Sequence, residues 1–139
     1  MRILLDTCAV IDLITDPDSL DKGFWDIYDN PENIPFASFE TARELVVSFN
    51  NKRLLSKYWS SAEDMLTCIE RDYGIEFLPL RRDSAFVYSR LQLNLKQGHK
   101  DPSDHVIISH AIAEHLTLVS SDTRFWFYRS QGLELIEYK

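Results

Sequence analysis

The stretch Arg2-Ile-Leu-Leu-Asp-Thr-Cys-Ala-Val-Ile-Asp-Leu13 constrains this chain most: a short unbroken apolar run, an acid, and then a helical pattern. Ile3, Leu4 and Leu5 do not alternate with polar residues, which suits a strand covered on both faces in a parallel sheet. Asp6 then stands at the carboxyl end of that strand. In open α/β sheets, ligands bind in the crevice beyond those ends.

A chain of 139 residues can bury roughly two-thirds of the surface its unfolded form exposes, so one domain over residues 1–139 is expected. With 45% hydrophobic and 27% charged residues and few Gly or Pro, it is not a disordered or low-complexity chain. The first apolar run ends at Asp6, too soon for a signal peptide, and no stretch approaches membrane-spanning length. A cytoplasmic location without membrane contact is the expectation. Cys8 and Cys68 lack metal-type spacing and are expected to be buried, reduced thiols. A net charge of −7 argues against coating nucleic acid through a basic surface. It leaves open an enzyme whose acids gather around cations.

Further along, the pattern predicts helices over Thr7 to Ile14 and through Phe24 to Tyr28, a strand over Ile34 to Ser38, and a helix from Phe39 to Asn50 with Ala42, Leu45, Val46 and Phe49 inward. After a turn at Lys52-Arg53-Leu54-Leu55, a longer amphipathic helix is expected from Ser56 to Tyr73, closed by Gly74. Ile75 to Leu80 is the third expected strand. Ser84 to Leu95 is expected to be helical, with Ala85, Val87, Tyr88, Leu91 and Leu95 on its apolar stripe. Asp101 to Asp104 opens a helix with Pro102 at its first position. Strands at Leu116 to Ser120 and Leu133 to Ile136 flank a short helix beginning at Asp122. Strands separated by helices imply parallel pairing with right-handed crossovers, which gathers the carboxyl ends along one edge.

Four acids fall on that edge. Asp6 and Asp122 each follow a strand, where an N-cap would be the ordinary use of a carboxylate. Asp101 suits a cap equally well. Asp104, by contrast, continues the inward stripe of Ile108, Ala111 and Ile112, a position that is unfavourable for a carboxylate unless it is paired or holds a cation. Glu40 and Glu44 occupy the first turns after the second strand, and periodicity does not choose between them. Clustered anions must protonate or bind cations, and oxygen ligands without Cys or His spacing point to Mg²⁺ or Mn²⁺. Thr7 and Ser120 place hydroxyls beside two of the acids. Lys52, Arg53, Lys100 and Arg124 are candidates for phosphate contacts, Lys100 and Arg124 foremost. His99, His105, His110 and His115 form no i, i+4 pair and are expected at the surface or an interface.

The segments Leu4-Leu-Asp-Thr-Cys-Ala9, Ser38 to Glu44 continuing to Arg53-Leu54, His99-Lys-Asp-Pro-Ser-Asp-His105, and Leu118-Val-Ser-Ser-Asp122 stand in an order that resembles the PIN-domain family, most closely its VapC-type toxin ribonucleases. The resemblance implies a three-layer α/β sandwich around a mostly parallel five-stranded sheet, and Mg²⁺- or Mn²⁺-dependent cleavage of RNA. It also implies homodimers and a cognate antitoxin protein. Matched residue by residue, it puts the acidic quartet on Asp6, Glu44, Asp104 and Asp122, with Glu44 preferred because Arg53-Leu54 follows at the family's distance. Ser103 and His105 stand where Phe and Arg are usual, and Ser48 where Lys is common. These departures touch substrate or partner contacts and leave the quartet whole. Two rival readings are a phosphatase of the haloacid-dehalogenase type, which lacks its second carboxylate because Cys8 stands two residues after Asp6, and a PIN-like module that binds RNA or protein without cutting.

Overall fold

The structure, a computed structural model, describes residues 1–52 and 54–139, with the side chains of Leu54 and Ser56 also outside the description. The expected Arg53-Leu54 pair therefore lies partly beyond it. In chain order the elements are β1 (Arg2–Leu5), α1 (Thr7–Thr15), α2 (Lys22–Tyr28), β2 (Ile34–Ser38), α3 (Phe39–Asn50), α4 (Ala62–Tyr73), β3 (Glu76–Leu78), α5 (Arg82–Arg90), α6 (Pro102–Glu114), β4 (Thr117–Ser120) and β5 (Glu134–Glu137). A 3₁₀ segment, Thr123–Gln131, joins the last two strands.

The five strands run parallel in the order β3-β2-β1-β4-β5. From β1 the chain steps outward to β2 and β3, then returns to the other side of β1 for β4 and β5. The switch point lies between β1 and β4, which is where a ligand crevice opens in such sheets. Leu4 is in register with Phe36 on one side and Leu118 on the other.

Pleating explains why β1 is apolar from Ile3 to Leu5. Ile3 and Leu5 enter one core with Val10, Phe24, Leu45, Met65 and Ile69, whereas Leu4 enters another with Ile107, Ile108, Leu118, Phe125 and Tyr128. Helices α1 to α4 cover the first face; α6 and the 3₁₀ segment cover the second. The result is the expected three-layer sandwich.

Boundaries differ where tertiary contacts overrule periodicity. Helix α4 starts at Ala62, because Ser61 Oγ accepts the Asp64 N–H as an N-cap, and the preceding Tyr58 is exposed. Helix α5 ends at Arg90 and Leu91 turns extended. Gln131 accepts the Gln92 N–H and donates to the Gln92 carbonyl, drawing the chain away from the helical path. The expected stripe of that helix fails accordingly, with Tyr88 and Leu95 exposed. Cys8 is exposed and Cys68 half-buried, both free, so the expectation of buried thiols is corrected. Asp6 turns Cys8 outward by capping α1, whose buried face is Thr7, Ala9, Val10 and Leu13.

Candidate metal site at the sheet's carboxyl edge

Asp6 is almost completely buried at the end of β1. Its Oδ1 accepts the Ala9 N–H at 2.8 Å, so the ordinary capping role is real, while its Oδ2 accepts the Ser120 hydroxyl at 2.6 Å from the end of β4. Burial pushes the Asp6 carboxyl up to about 7; the Ser120 and Ala9 bonds oppose this, and the charges of Asp104 and Asp122 add to it. A carboxylate in such surroundings invites a proton or a cation.

Thr7 donates to Glu44 Oε1 at 2.6 Å and meets the Thr41 hydroxyl at 2.9 Å, which brings the first turns of α3 against the end of β1. The two glutamates part company here. Glu40 is buried and gripped by Arg43 through two bonds, at 2.8 and 2.7 Å, which together hold its carboxyl below the usual range. Glu44, one turn on, is bonded to Thr7 instead.

Helix α6 supplies the third acid. Asp101 caps it by accepting the Ser103 N–H, and Pro102 occupies its first position. Asp104 Oδ2 lies 2.9 Å from His99 Nε2, and burial raises its carboxyl against the lowering effect of that bond. Asp122 caps the 3₁₀ segment after β4 through the Arg124 N–H, and its two oxygens also accept Arg124 Nε at 3.0 Å and Nη2 at 2.7 Å. That guanidinium holds the Asp122 carboxyl low. Lys100 is exposed nearby in sequence, whereas Arg124 is already committed to Asp122.

The histidines correct the sequence reading. His99, His105 and His110 are buried and only His115 is exposed, because each buried ring finds hydrogen-bond partners. One nitrogen of His99 and one carboxylate oxygen each of Asp104 and Asp122 lie within 4.8 Å of one another, the cluster of metal-ligand type found among the described residues. Sequence spacing barely hints at His99 and gives no sign of Tyr128 and Asn94 behind it. The one clue is that His99 lies five residues before Asp104.

Chemically, the edge combines the buried carboxylate of Asp6 with the half-buried ones of Glu44, Asp104 and Asp122, hydroxyls that orient the first two, and little compensating charge around Asp6 and Asp104. An oxygen-rich donor set of this kind fits a hard divalent cation. The large aromatics of the last segment divide: Tyr128 is core, whereas Trp126 and Phe127 remain exposed.

A family model described as PIN domain matches residues 3–130. No curated protein sequence matches the chain. Among solved structures, VapBC2 from Rickettsia felis, bound to a DNA fragment from its promoter, is similar at 22% identity, covers all of both chains and superposes with a TM-score of 0.76. VapBC-1 from nontypeable Haemophilus influenzae gives 19% identity, coverage of 99% of this chain and 98% of that one, and a TM-score of 0.70. VapBC-5 from Mycobacterium tuberculosis, of the VapBC family of toxin-antitoxin systems, gives 21%, 98% of each chain and 0.64. At these identities the likeness is one of fold.

Proposed function

Because the chain belongs to the PIN-domain family, we propose that it is a Mg²⁺- or Mn²⁺-dependent endoribonuclease, the toxin of a toxin-antitoxin pair. The observation that carries this reading is the gathering of acids at the switch point, where Asp6 is buried at the end of β1 and carboxylate oxygens of Asp104 and Asp122 lie within 4.8 Å of each other. In this reading residues 1–139 act as one domain in the cytoplasm. The chain pairs with a second copy and is silenced by an antitoxin protein.

Asp6, Glu44, Asp104 and Asp122 would hold the cation. When bound, it would supply positive charge to the phosphodiester and acidify a water. The chain's own contribution is arrangement. Ser120 fixes one oxygen of Asp6 and Thr7 one of Glu44, so neither carboxylate must reorganise when phosphate arrives. Arg124 keeps Asp122 ionised, and the exposed Lys100 would meet a phosphate. No side chain is needed as a covalent nucleophile.

Purified protein given Mn²⁺ or Mg²⁺ should cut RNA, and EDTA should stop it. Asp6→Asn should remove the activity as well. The neutralisation of Asp122 by Arg124 favours the second reading, a PIN module that binds RNA without cleaving it. RNA retained on the protein but uncut at every metal concentration would decide for that module.

A further inference from the structure

Behind Asp104 runs a chain of buried polar groups with a backbone N–H that can only donate at one end and a carboxylate at the other. The Asn94 backbone N–H can only donate, and it does so to the Tyr128 hydroxyl oxygen at 3.1 Å. The Tyr128 hydroxyl then has its own hydrogen to give, and His99 Nδ1 lies 3.0 Å away. With Nδ1 accepting that hydrogen, the ring proton sits on Nε2, 2.9 Å from Asp104 Oδ2, a carboxylate oxygen suited to accept it. The opposite tautomer would take the Nδ1 acceptor away from the Tyr128 hydrogen and set an imidazole lone pair against a carboxylate oxygen.

We propose that His99 is a positioning residue: held by Tyr128 through Nδ1, it presents Nε2–H to Asp104 and fixes that carboxylate for a divalent cation without ligating the cation itself. The 4.8 Å cluster of His99, Asp104 and Asp122 would admit an imidazole ligand by distance alone. A nitrogen that carries a proton has no lone pair to give, so the donor set stays all oxygen. His99 is itself pinned, since His105 Nε2 lies 3.0 Å from its carbonyl and its ring packs beside Phe125. Asn94 extends the device, because its side-chain amide donates to the Arg124 carbonyl at 3.0 Å, and Arg124 holds Asp122. One loop thus sets the stance of two acids.

The inference rests on the proposed acid site, and its test separates the two. Long-range ¹⁵N NMR of the metal-free protein should show His99 as the Nε2–H tautomer. In Mn²⁺ titrations followed by electron paramagnetic resonance, Tyr128→Phe and His99→Leu should each weaken binding by about 10–100-fold, whereas His99→Gln, which keeps a donor near Asp104, should stay within about threefold. Bound Mn²⁺ should show no ¹⁴N coupling from an imidazole. An Nδ1–H tautomer, an imidazole ¹⁴N coupling that His99→Leu removes, undiminished affinity in both weakened variants, or a wild-type chain that binds no Mn²⁺ would each overturn the proposal. Should His99→Leu not fold, Tyr128→Phe and the tautomer of the unaltered chain still decide. Mn²⁺ binding of the expected kind with RNA left intact would refute the nuclease reading and sustain this one.

Discussion

Helix α6 bears two chains of the same composition, hydroxyl to imidazole to carboxylate. At its amino end Tyr128, His99 and Asp104 are linked at 3.0 and 2.9 Å; farther along, Ser38, His110 and Glu114 are linked at 2.8 and 2.7 Å. Both imidazoles are fully buried and both carboxylates are about one-fifth exposed. In each chain the hydroxyl oxygen accepts a backbone N–H, from Asn94 in one and Glu40 in the other, so its hydrogen goes to Nδ1 and the ring faces its acid with Nε2–H. The difference lies outside the triplets. Asp104 faces the charges of Asp101 and Asp122, whereas no such group of acids surrounds Glu114 among the described residues. Hydrogen-bond geometry alone makes a strut; concentrated negative charge makes the Asp104 strut a candidate for holding a metal.

Removing the acid from each chain gives the widest contrast. Asp104→Asn should lower RNA cleavage by about 10²–10³-fold, while Glu114→Gln should leave cleavage unchanged once folded protein is compared. Equal losses in both variants, measured as initial rates at saturating Mn²⁺, would erase the distinction.

Charge crowding should also appear as stability. The raised carboxyl of Asp6 contributes to metal-free stability fully below its unfolded value near 3.8 and loses that contribution as pH rises through about 7. At pH 8 its ionisation opposes folding by at most about 4 kcal/mol, so Asp6→Asn should make the metal-free protein more stable there while abolishing activity. Mn²⁺ should stabilise the unaltered chain against urea and have little effect on the variant. A variant less stable than the parent at pH 8 would place the cap and the Ser120 bond above the charge.

The contrast between the two chains also marks what the sequence can disclose. Parallel pairing was legible because β1 is apolar from Ile3 to Leu5 and Asp6, Ser38 and Ser120 close their strands, whereas the three layers followed from the family resemblance and the strand order came only with the structure. The acids after strands follow from the same pattern, and the choice of Glu44 over Glu40 needed the family pattern, since the two lie one turn apart on α3. His99 escapes a linear reading. Its role depends on α5 stopping at Arg90, so that Asn94 reaches Tyr128 across 34 residues. Periodicity that expects a helix to Leu95 hides that loop, and no local rule restores it.

The strut should cost less to cut than the site. Ser38→Ala removes both the cap on Glu40 N–H and the partner of His110 Nδ1. A loss of about 2–3 kcal/mol in unfolding free energy is expected, with cleavage by the folded fraction preserved. A Ser38→Ala protein of normal stability that no longer cuts RNA would make Ser38 part of the site and dissolve the comparison.

Protonation of His110 should produce the smallest effect. Burial lowers its ring below 6.5, and the facing Glu114 opposes that shift through charge and hydrogen bond. A folded value below the unfolded one means that its contribution is fully present above pH 6.5 and is lost as pH falls through the folded value. Asp6 slopes the other way over the same range, so the raw pH profile of the metal-free protein mixes two opposed terms. Comparing Glu114→Gln with the parent isolates one of them: without the carboxylate, protonating the ring becomes still less favourable, and the variant should lose more stability between pH 7 and pH 5 than the parent does. The Asp6 contribution is common to both proteins and cancels in the difference. Urea unfolding at the two pH values would read it, and a variant less sensitive to acid than the parent would show that Glu114 does not hold the ring as the geometry requires.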